Sequence, residues 1–194
     1  MRSVKKTIFT TKYPDMNPLE IIVKYYKPKS KAYQILITHC NLVTEKALNI
    51  ARNHKELLPD LAFIEEAAML HDIGIFRTNA PHLYCFGEFP YLCHGYLGRE
   101  LLTEEGYPEH GLVSERHTGV GITAEDVVSQ NLPLPVRDYM PVSVEEQIIC
   151  FADKFFSKSG DLTREKSVSE VLKSMQKFGN RHVTRFNEWT EIFL

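Results

Sequence analysis

Four histidines and an aspartate fall at positions where helical periodicity would turn them toward the interior of the protein. His39 follows Ile35 by four residues and precedes Leu42 by three, and Asp153 shares a helical face with Ile149. An ionised carboxylate on an apolar face is costly unless it is paired or coordinated. A lone buried histidine is more often a core residue, but several converging imidazoles with carboxylates suit a transition metal. The predicted ligands are His39, His71, Asp72, His94, His117 and Asp153.

The elements that must position these side chains are predicted to be helices. Apolar residues recur at helical spacing along most of the chain, and capping residues such as Asp60 and a Ser143/Glu146 capping box mark helix starts. No βαβ alternation or glycine-rich phosphate loop is present, which argues against a nucleotide-binding parallel sheet. The sequence therefore predicts an all-α, single-domain bundle. The expected helices cover residues 17–26, 31–53, 60–73, 91–105, 108–119, 143–158, 163–179 and 183–193.

The composition and net charge limit the kinds of molecule that the chain is expected to bind. The chain has 194 residues and a formal net charge of -2, so no strong field would recruit a nucleic acid polymer or an anionic membrane. The first ten residues do not resemble a targeting signal, and no apolar run is long enough to span a bilayer. Four scattered cysteines without a CxxC pair are expected to be buried thiols in a reducing cytoplasm. We therefore expect a cytoplasmic protein that acts on small molecules; its oligomeric state is not readable.

The order of the predicted ligands resembles the H…HD…D pattern of the HD superfamily. His71-Asp72-Ile73-Gly74 matches the HDIG variant of that pattern letter for letter. His39 lies upstream, and Phe151-Ala152-Asp153-Lys154 supplies the downstream aspartate. The segments around His94 and His117 are similar to those of binuclear members. The resemblance covers residues 31–160, the predicted HD domain. The flanking segments are predicted to be an N-terminal helical extension over residues 1–30 and C-terminal helices over residues 161–194 packed on the domain.

The resemblance also implies a reaction and a ligand set. His39, His71, Asp72 and Asp153 would hold one divalent ion, and His94 and His117 would hold a second, with Asp72 bridging. The family hydrolyses phosphate esters or anhydrides. His117 is followed by Thr118-Gly119-Val120-Gly121 and not by the GYP motif of the cyclic-dinucleotide branch, so cyclic di-GMP is discounted. The pattern is closer to the bacterial diadenosine tetraphosphatase branch and to uncharacterised HDIG proteins.

Phosphate hydrolysis also needs a cation near the equatorial phosphate oxygens. Arg77, just after the HDIG segment, is the first candidate, and with Asp72 it is the predicted catalytic residue. Arg116 and Lys154 are weaker candidates for substrate binding, because each neighbours a ligand and projects about a quarter turn away from it. Each of the three could instead be a solvated surface charge.

Two long segments, residues 76–90 and 119–141, are predicted loops that shape substrate choice. Their aromatic residues could stack a base or could cover the end of the bundle. His54, His110 and His182 lie in polar surroundings or near helix ends and are expected at the surface.

Three functions stay open at this stage. The first is a phosphohydrolase acting on a small nucleotide-like compound. The others are a non-catalytic regulatory or binding HD module and a diiron oxygenase-type HD protein. Imidazole and carboxylate ligands do not distinguish iron, manganese, zinc, nickel and magnesium.

Overall fold

The computed structural model describes residues 16–194, so the start of the predicted N-terminal extension lies outside the described residues. The described part is a helical bundle with one two-stranded antiparallel sheet, in which Asn79 is opposite Phe86. The all-α prediction is confirmed. The elements are α1 (Pro18–Tyr25), α2 (Lys31–Asn53), α3 (Leu61–Leu70), β1 (Asn79–Ala80), β2 (Cys85–Phe86), α4 (His94–Glu104), α5 (Pro108–Arg116), α6 (Ala124–Ser129), α7 (Val144–Asp153), α8 (Val168–Met175) and α9 (Asn180–Phe193).

Side-chain caps fix several helix starts. Asp60 caps α3 by accepting hydrogen bonds from two backbone amides, as predicted. Ser143 caps α7, but only half of the predicted capping box forms, since the Glu146 carboxylate accepts from the Val142 amide and pairs with Arg116 instead.

Several predicted boundaries are wrong, among them the end of α5 at Arg116 and the start of α9 at Asn180. α3 ends at Leu70, before the HDIG segment, and α7 ends at Asp153. The residues after Thr163 are not helical until Ser167, which caps α8 through a complete capping box with Glu170.

The core lies where α2 packs against α3 and α7, with α9 covering α7 from the far side. Phe151 of α7 stacks on Phe186 of α9 with ring centroids 5.0 Å apart. Because α7 carries Asp153 at its last position, this aromatic packing fixes where that carboxylate enters the bundle.

A close backbone approach joins the turn after α3 to α4. A methyl group added to Gly74 would lie 2.2 Å from the His94 carbonyl oxygen and 2.6 Å from the Gly98 nitrogen. The glycine of the HDIG segment therefore permits α4 to approach the residues that follow α3.

Two histidines predicted at the surface are buried. His110 packs on the Phe63 ring, with centroids 4.8 Å apart, and its Nε2 lies 3.1 Å from a Glu66 carboxylate oxygen. His182 is buried beside the Phe178 ring. Packing of α5 against α3 covers the His110 ring. His54 is partly exposed.

The two segments predicted as loops are partly ordered by local structure. Residues 76–90 contain β1 and β2, and residues 119–141 contain α6. In the second segment Tyr139 is buried and Arg137 pairs with Glu115, so these side chains cover the bundle. In the first, the Phe86 side chain is exposed.

All four cysteines are buried and free of disulfides. Among the described residues, no helix is long and apolar enough to cross a bilayer.

Candidate metal centre

The six predicted ligands meet at one buried point, and most of them come from helix ends. His39 lies within α2, His71 and Asp72 follow the last residue of α3, and His94 is the first residue of α4. His117 follows the last residue of α5, and Asp153 is the last residue of α7. Each of these residues is at most 7% exposed. The structure therefore brings the whole predicted set together.

The first donor set contains His39, His71, Asp72 and Asp153, and one ligand atom of each lies within 4.8 Å of the others. His39 Nε2 is 2.9 Å from Asp153 Oδ1 and 3.3 Å from Asp72 Oδ2. His71 Nε2 is 3.2 Å from the same Asp72 oxygen. Two imidazole nitrogens and two carboxylate oxygens thus converge.

The second donor set contains Asp72, His94 and His117. Asp72 Oδ1 is 3.4 Å from His94 Nε2 and 3.3 Å from His117 Nε2. Since Asp72 Oδ2 faces the first set, the two oxygens of one carboxylate point to different groups of imidazoles. This is the arrangement that a bridging carboxylate requires.

Backbone carbonyls orient three of the four imidazole rings. In each case Nδ1 contacts the carbonyl oxygen three residues earlier: His71 to Ala68 at 2.6 Å, His94 to Tyr91 at 2.7 Å, and His117 to Ser114 at 2.7 Å. A ring that donates its Nδ1 proton to a carbonyl keeps a lone pair on Nε2. The carbonyl contacts therefore direct all three Nε2 atoms towards the donor sets.

Unpartnered polar atoms test whether a metal fits. His71 Nε2 and both Asp72 oxygens are buried without a hydrogen-bond partner. His94 Nε2 and His117 Nε2 lie 3.0 Å apart, where two lone pairs would repel. A buried polar group without a partner costs about 1–3 kcal/mol, so such atoms are rare unless they have a function. These residues fit a divalent metal, whose coordination would satisfy them.

Electrostatics favour the protonation states that metal binding needs at Asp72 and His94, but not at His71. Burial would lower the pKa of His71, but the Asp72 carboxylate outweighs it, and that pKa lies well above its usual range. Burial would raise the pKa of Asp72, but the Lys158 ammonium and then His71 outweigh it, and that pKa lies well below its usual range. Burial and then the neighbouring His117 lower the pKa of His94 to about 3. The bridging position is therefore an anionic carboxylate beside a neutral imidazole.

Comparison with known proteins agrees with this geometry. The model of the HD domain family matches residues 36–157. The chain belongs to the HD domain family. No solved structure matches the chain.

Curated proteins from three organisms resemble the chain. An uncharacterized protein of Methanocaldococcus jannaschii is 32% identical over 158 residues, which cover 79% of this chain and 83% of that protein. Two proteins named tRNA (cytidine(56)-2'-O)-methyltransferase are also similar. The one from Picrophilus torridus is 32% identical over 74% of this chain, and the one from Thermoplasma volcanium 31% over 80%. The matches span only 37% and 40% of those two methyltransferases.

The cations predicted to bind substrate differ in their distance from the HD ligands. Arg77 lies 3.5 Å from a Glu100 oxygen and over the Phe89 ring. Arg116 donates two hydrogen bonds to the Glu146 carboxylate, at 2.9 and 3.1 Å. In this structure both guanidinium groups thus have partners outside the ligand set.

Lys154 is the one of the three predicted cations that contacts the ligands. Its Nζ donates to Asp153 Oδ2 at 2.7 Å and to the His117 carbonyl at 2.9 Å. It ties the end of α7 to the end of α5. The substrate roles of all three cations stay predictions.

Sequence reasoning missed Lys158. Its Nζ lies 2.7 Å from Asp72 Oδ2 and 3.7 Å from Asp153 Oδ1. The predicted helix extended through residue 158 and gave this lysine no role, whereas α7 ends at Asp153 and the following residues bring Lys158 back to the HD ligands. The available signal was a second lysine five residues after a predicted carboxylate ligand.

Proposed function

We propose that this HD domain protein is a metal-dependent phosphohydrolase that acts on a phosphate ester or anhydride of a small nucleotide-like compound. The observation that carries the proposal is the shared carboxylate of Asp72 between two buried donor sets. Two ions held about 3.5–4 Å apart suit the in-line displacement of phosphoryl groups.

The charges around the site support an anionic substrate. The Asp72 and Asp153 carboxylates are already paired with the ammonium groups of Lys158 and Lys154. Any divalent ion held by the same carboxylates adds positive charge to a buried region. An anion that enters would restore the balance, and a phosphate group carries the required charge.

The residues around the centre have distinct roles in the proposed reaction. When bound, the metal makes hydroxide available at neutral pH and polarises a phosphoryl oxygen. Asp72 belongs to both donor sets and so would fix the position of one relative to the other. The imidazoles that contact backbone carbonyls keep their Nε2 atoms directed inward. The lysines would neutralise charge on the phosphate oxygens.

The methyltransferase relatives do not change this proposal. Since the similarity covers 37% and 40% of those proteins, methyl transfer is not proposed for this chain. The net charge of -2 favours a small substrate over tRNA. Transfer RNA nevertheless belongs in the test, and tight, salt-sensitive binding to it would contradict the restriction to small compounds.

The test uses metal-free protein reloaded anaerobically with Fe²⁺, Mn²⁺, Zn²⁺, Ni²⁺ or Mg²⁺. Nucleotides, dinucleoside polyphosphates and sugar phosphates are then screened for phosphate release. We expect hydrolysis with at least one metal and its loss with a chelator. Metal binding without turnover would instead support a regulatory module, and oxygen consumption by the Fe²⁺ form would support the oxygenase alternative.

Ligands of the second donor set should behave differently from those of the first. His117→Ala is expected to lower the metal content from two ions to one per chain, because His39, His71, Asp72 and Asp153 remain. Some turnover should return at high metal concentration. Elemental analysis beside the rate measures both effects.

His54→Ala is the matched control, because His54 contacts the exposed Glu56 and no ligand of the donor sets. It should keep both ions. A His117→Ala protein with full metal content would show that His117 is not a ligand.

A further inference from the structure

Among the lysines and arginines of residues 16–194, Lys158 is the one that pairs with the Asp72 carboxylate. Its Nζ lies 2.7 Å from Asp72 Oδ2, the oxygen that also faces His39 Nε2 and His71 Nε2 at 3.3 and 3.2 Å. The oxygen nevertheless accepts no hydrogen bond of good geometry. The contact is therefore a charge pairing without a directed hydrogen bond, and the ammonium keeps donors for another partner.

Lys158 is more exposed than the carboxylate that it contacts. The lysine side chain is 16% exposed, whereas the Asp72 side chain is fully buried. Tyr91 lies near Lys158, and the Tyr91 ring stacks on His94 with centroids 4.7 Å apart. The ammonium group thus lies beside the carboxylates of the first donor set, on a side chain that is partly accessible to solvent.

The stem of the side chain has a separate anchor. Lys158 lines a narrow cavity whose walls include Tyr26, Ile35, Leu36 and Leu83. Long lysine stems pack along apolar surface while the charged end stays in a polar environment. An anchored stem with a movable ammonium is suited to exchanging one anion for another.

The other cations near the centre are less free to move. Lys154 donates directed hydrogen bonds to both the His117 carbonyl and Asp153. Arg77 and Arg116 have carboxylate partners outside the ligand set. Among the described residues, Lys158 combines proximity to Asp72, partial exposure and an undirected ion pair.

We propose that Lys158 is a phosphate-binding residue whose ammonium moves from Asp72 to a phosphate oxygen of the substrate when a divalent ion engages the carboxylate. Two cations compete for the same Asp72 oxygen, because close like charges in a buried site repel strongly. The displaced ammonium then needs an anionic partner, and lysine is a common phosphate ligand. The substrate class rests on the proposed function.

The test compares Lys158→Met with the wild type in two binding assays. Without the competing ammonium, Mn²⁺ should bind the metal-free protein about tenfold more tightly, while inorganic phosphate should bind the Mn²⁺-loaded protein about tenfold more weakly, as expected for one lost charge-assisted contact. Lys158→Arg should retain most of the phosphate affinity. Lys173→Met, which removes an exposed lysine of α8, should change neither affinity.

Tighter Mn²⁺ binding together with weaker phosphate binding would identify Lys158 as a phosphate-binding residue that competes with the metal. A lysine that only supports the fold would weaken both affinities together, and either that result or an unchanged phosphate affinity would overturn the proposal. If Lys158→Met does not fold, Lys158→Gln is measured in the same way. Neither binding assay requires turnover. The role of Lys158 is therefore tested separately from the proposed hydrolysis, and either one can fail while the other holds.

Discussion

Replacing Asp72 with alanine is expected to remove metal from both donor sets and to reduce phosphate release to background. Asp72 directs Oδ2 to His39 and His71 and Oδ1 to His94 and His117. Its loss would leave two cations facing each other without the anion between them. Metal content by elemental analysis, measured beside the rate, tests both parts of the expectation.

The matched control for this variant is Asp161→Ala, because Asp161 is an exposed aspartate that hydrogen-bonds with Thr163. It should keep two ions and the full rate. Asp72→Asn keeps the shape of the side chain and separates loss of charge from loss of volume. If Asp72→Ala retained two ions per chain, the bridging assignment would be wrong.

Gly74→Ala is expected to destabilise the fold and weaken metal binding together. The added methyl group would meet backbone atoms of α4 at 2.2 and 2.6 Å, and backbone cannot rotate away as a side chain can. Overpacking of this kind costs about 1–3 kcal/mol or more. Asp72 and His94 lie on the two segments that the methyl group would force apart. We therefore expect a lower free energy of unfolding in urea and a weaker affinity for Mn²⁺.

A second glycine separates steric clash from backbone strain. Gly160 has a positive φ of 74° and no heavy atom within 4 Å of an added methyl group. Gly160→Ala should therefore lose only the conformational term, about 1 kcal/mol, with unchanged Mn²⁺ affinity. A Gly74→Ala protein as stable as the wild type would argue against the close approach of α4.

The sequence allowed the helices and the convergence of the ligands to be predicted for a physical reason. Helical periodicity is local, so the inward faces that carry His39 and Asp153 can be recognised without knowing their neighbours. Asp60 capping is equally local. The ligand set itself depended on the HDIG pattern, because spacing alone does not decide which inward histidines share a point.

Features set by contacts between distant segments could not be predicted. His110 is buried because α3 brings Phe63 and Glu66 against it, and nothing beside His110 in the chain indicates this. β1 and β2 have two residues each, too few to show an alternating pattern. Lys158 contacts Asp72, which lies 86 positions earlier in the chain. This contact forms because α7 ends at Asp153 and does not continue through residue 158.

The direct contact between His39 and Asp153 joins residues 114 positions apart. An ion held by these two side chains would act as a cross-link that encloses most of the bundle, much as a disulfide restricts an unfolded chain. A ligand that binds only the folded state adds about 2.7 kcal/mol of stability at one hundred times its dissociation constant. The melting temperature should therefore rise with free metal concentration, so a thermal scan would measure metal affinity without any knowledge of the substrate.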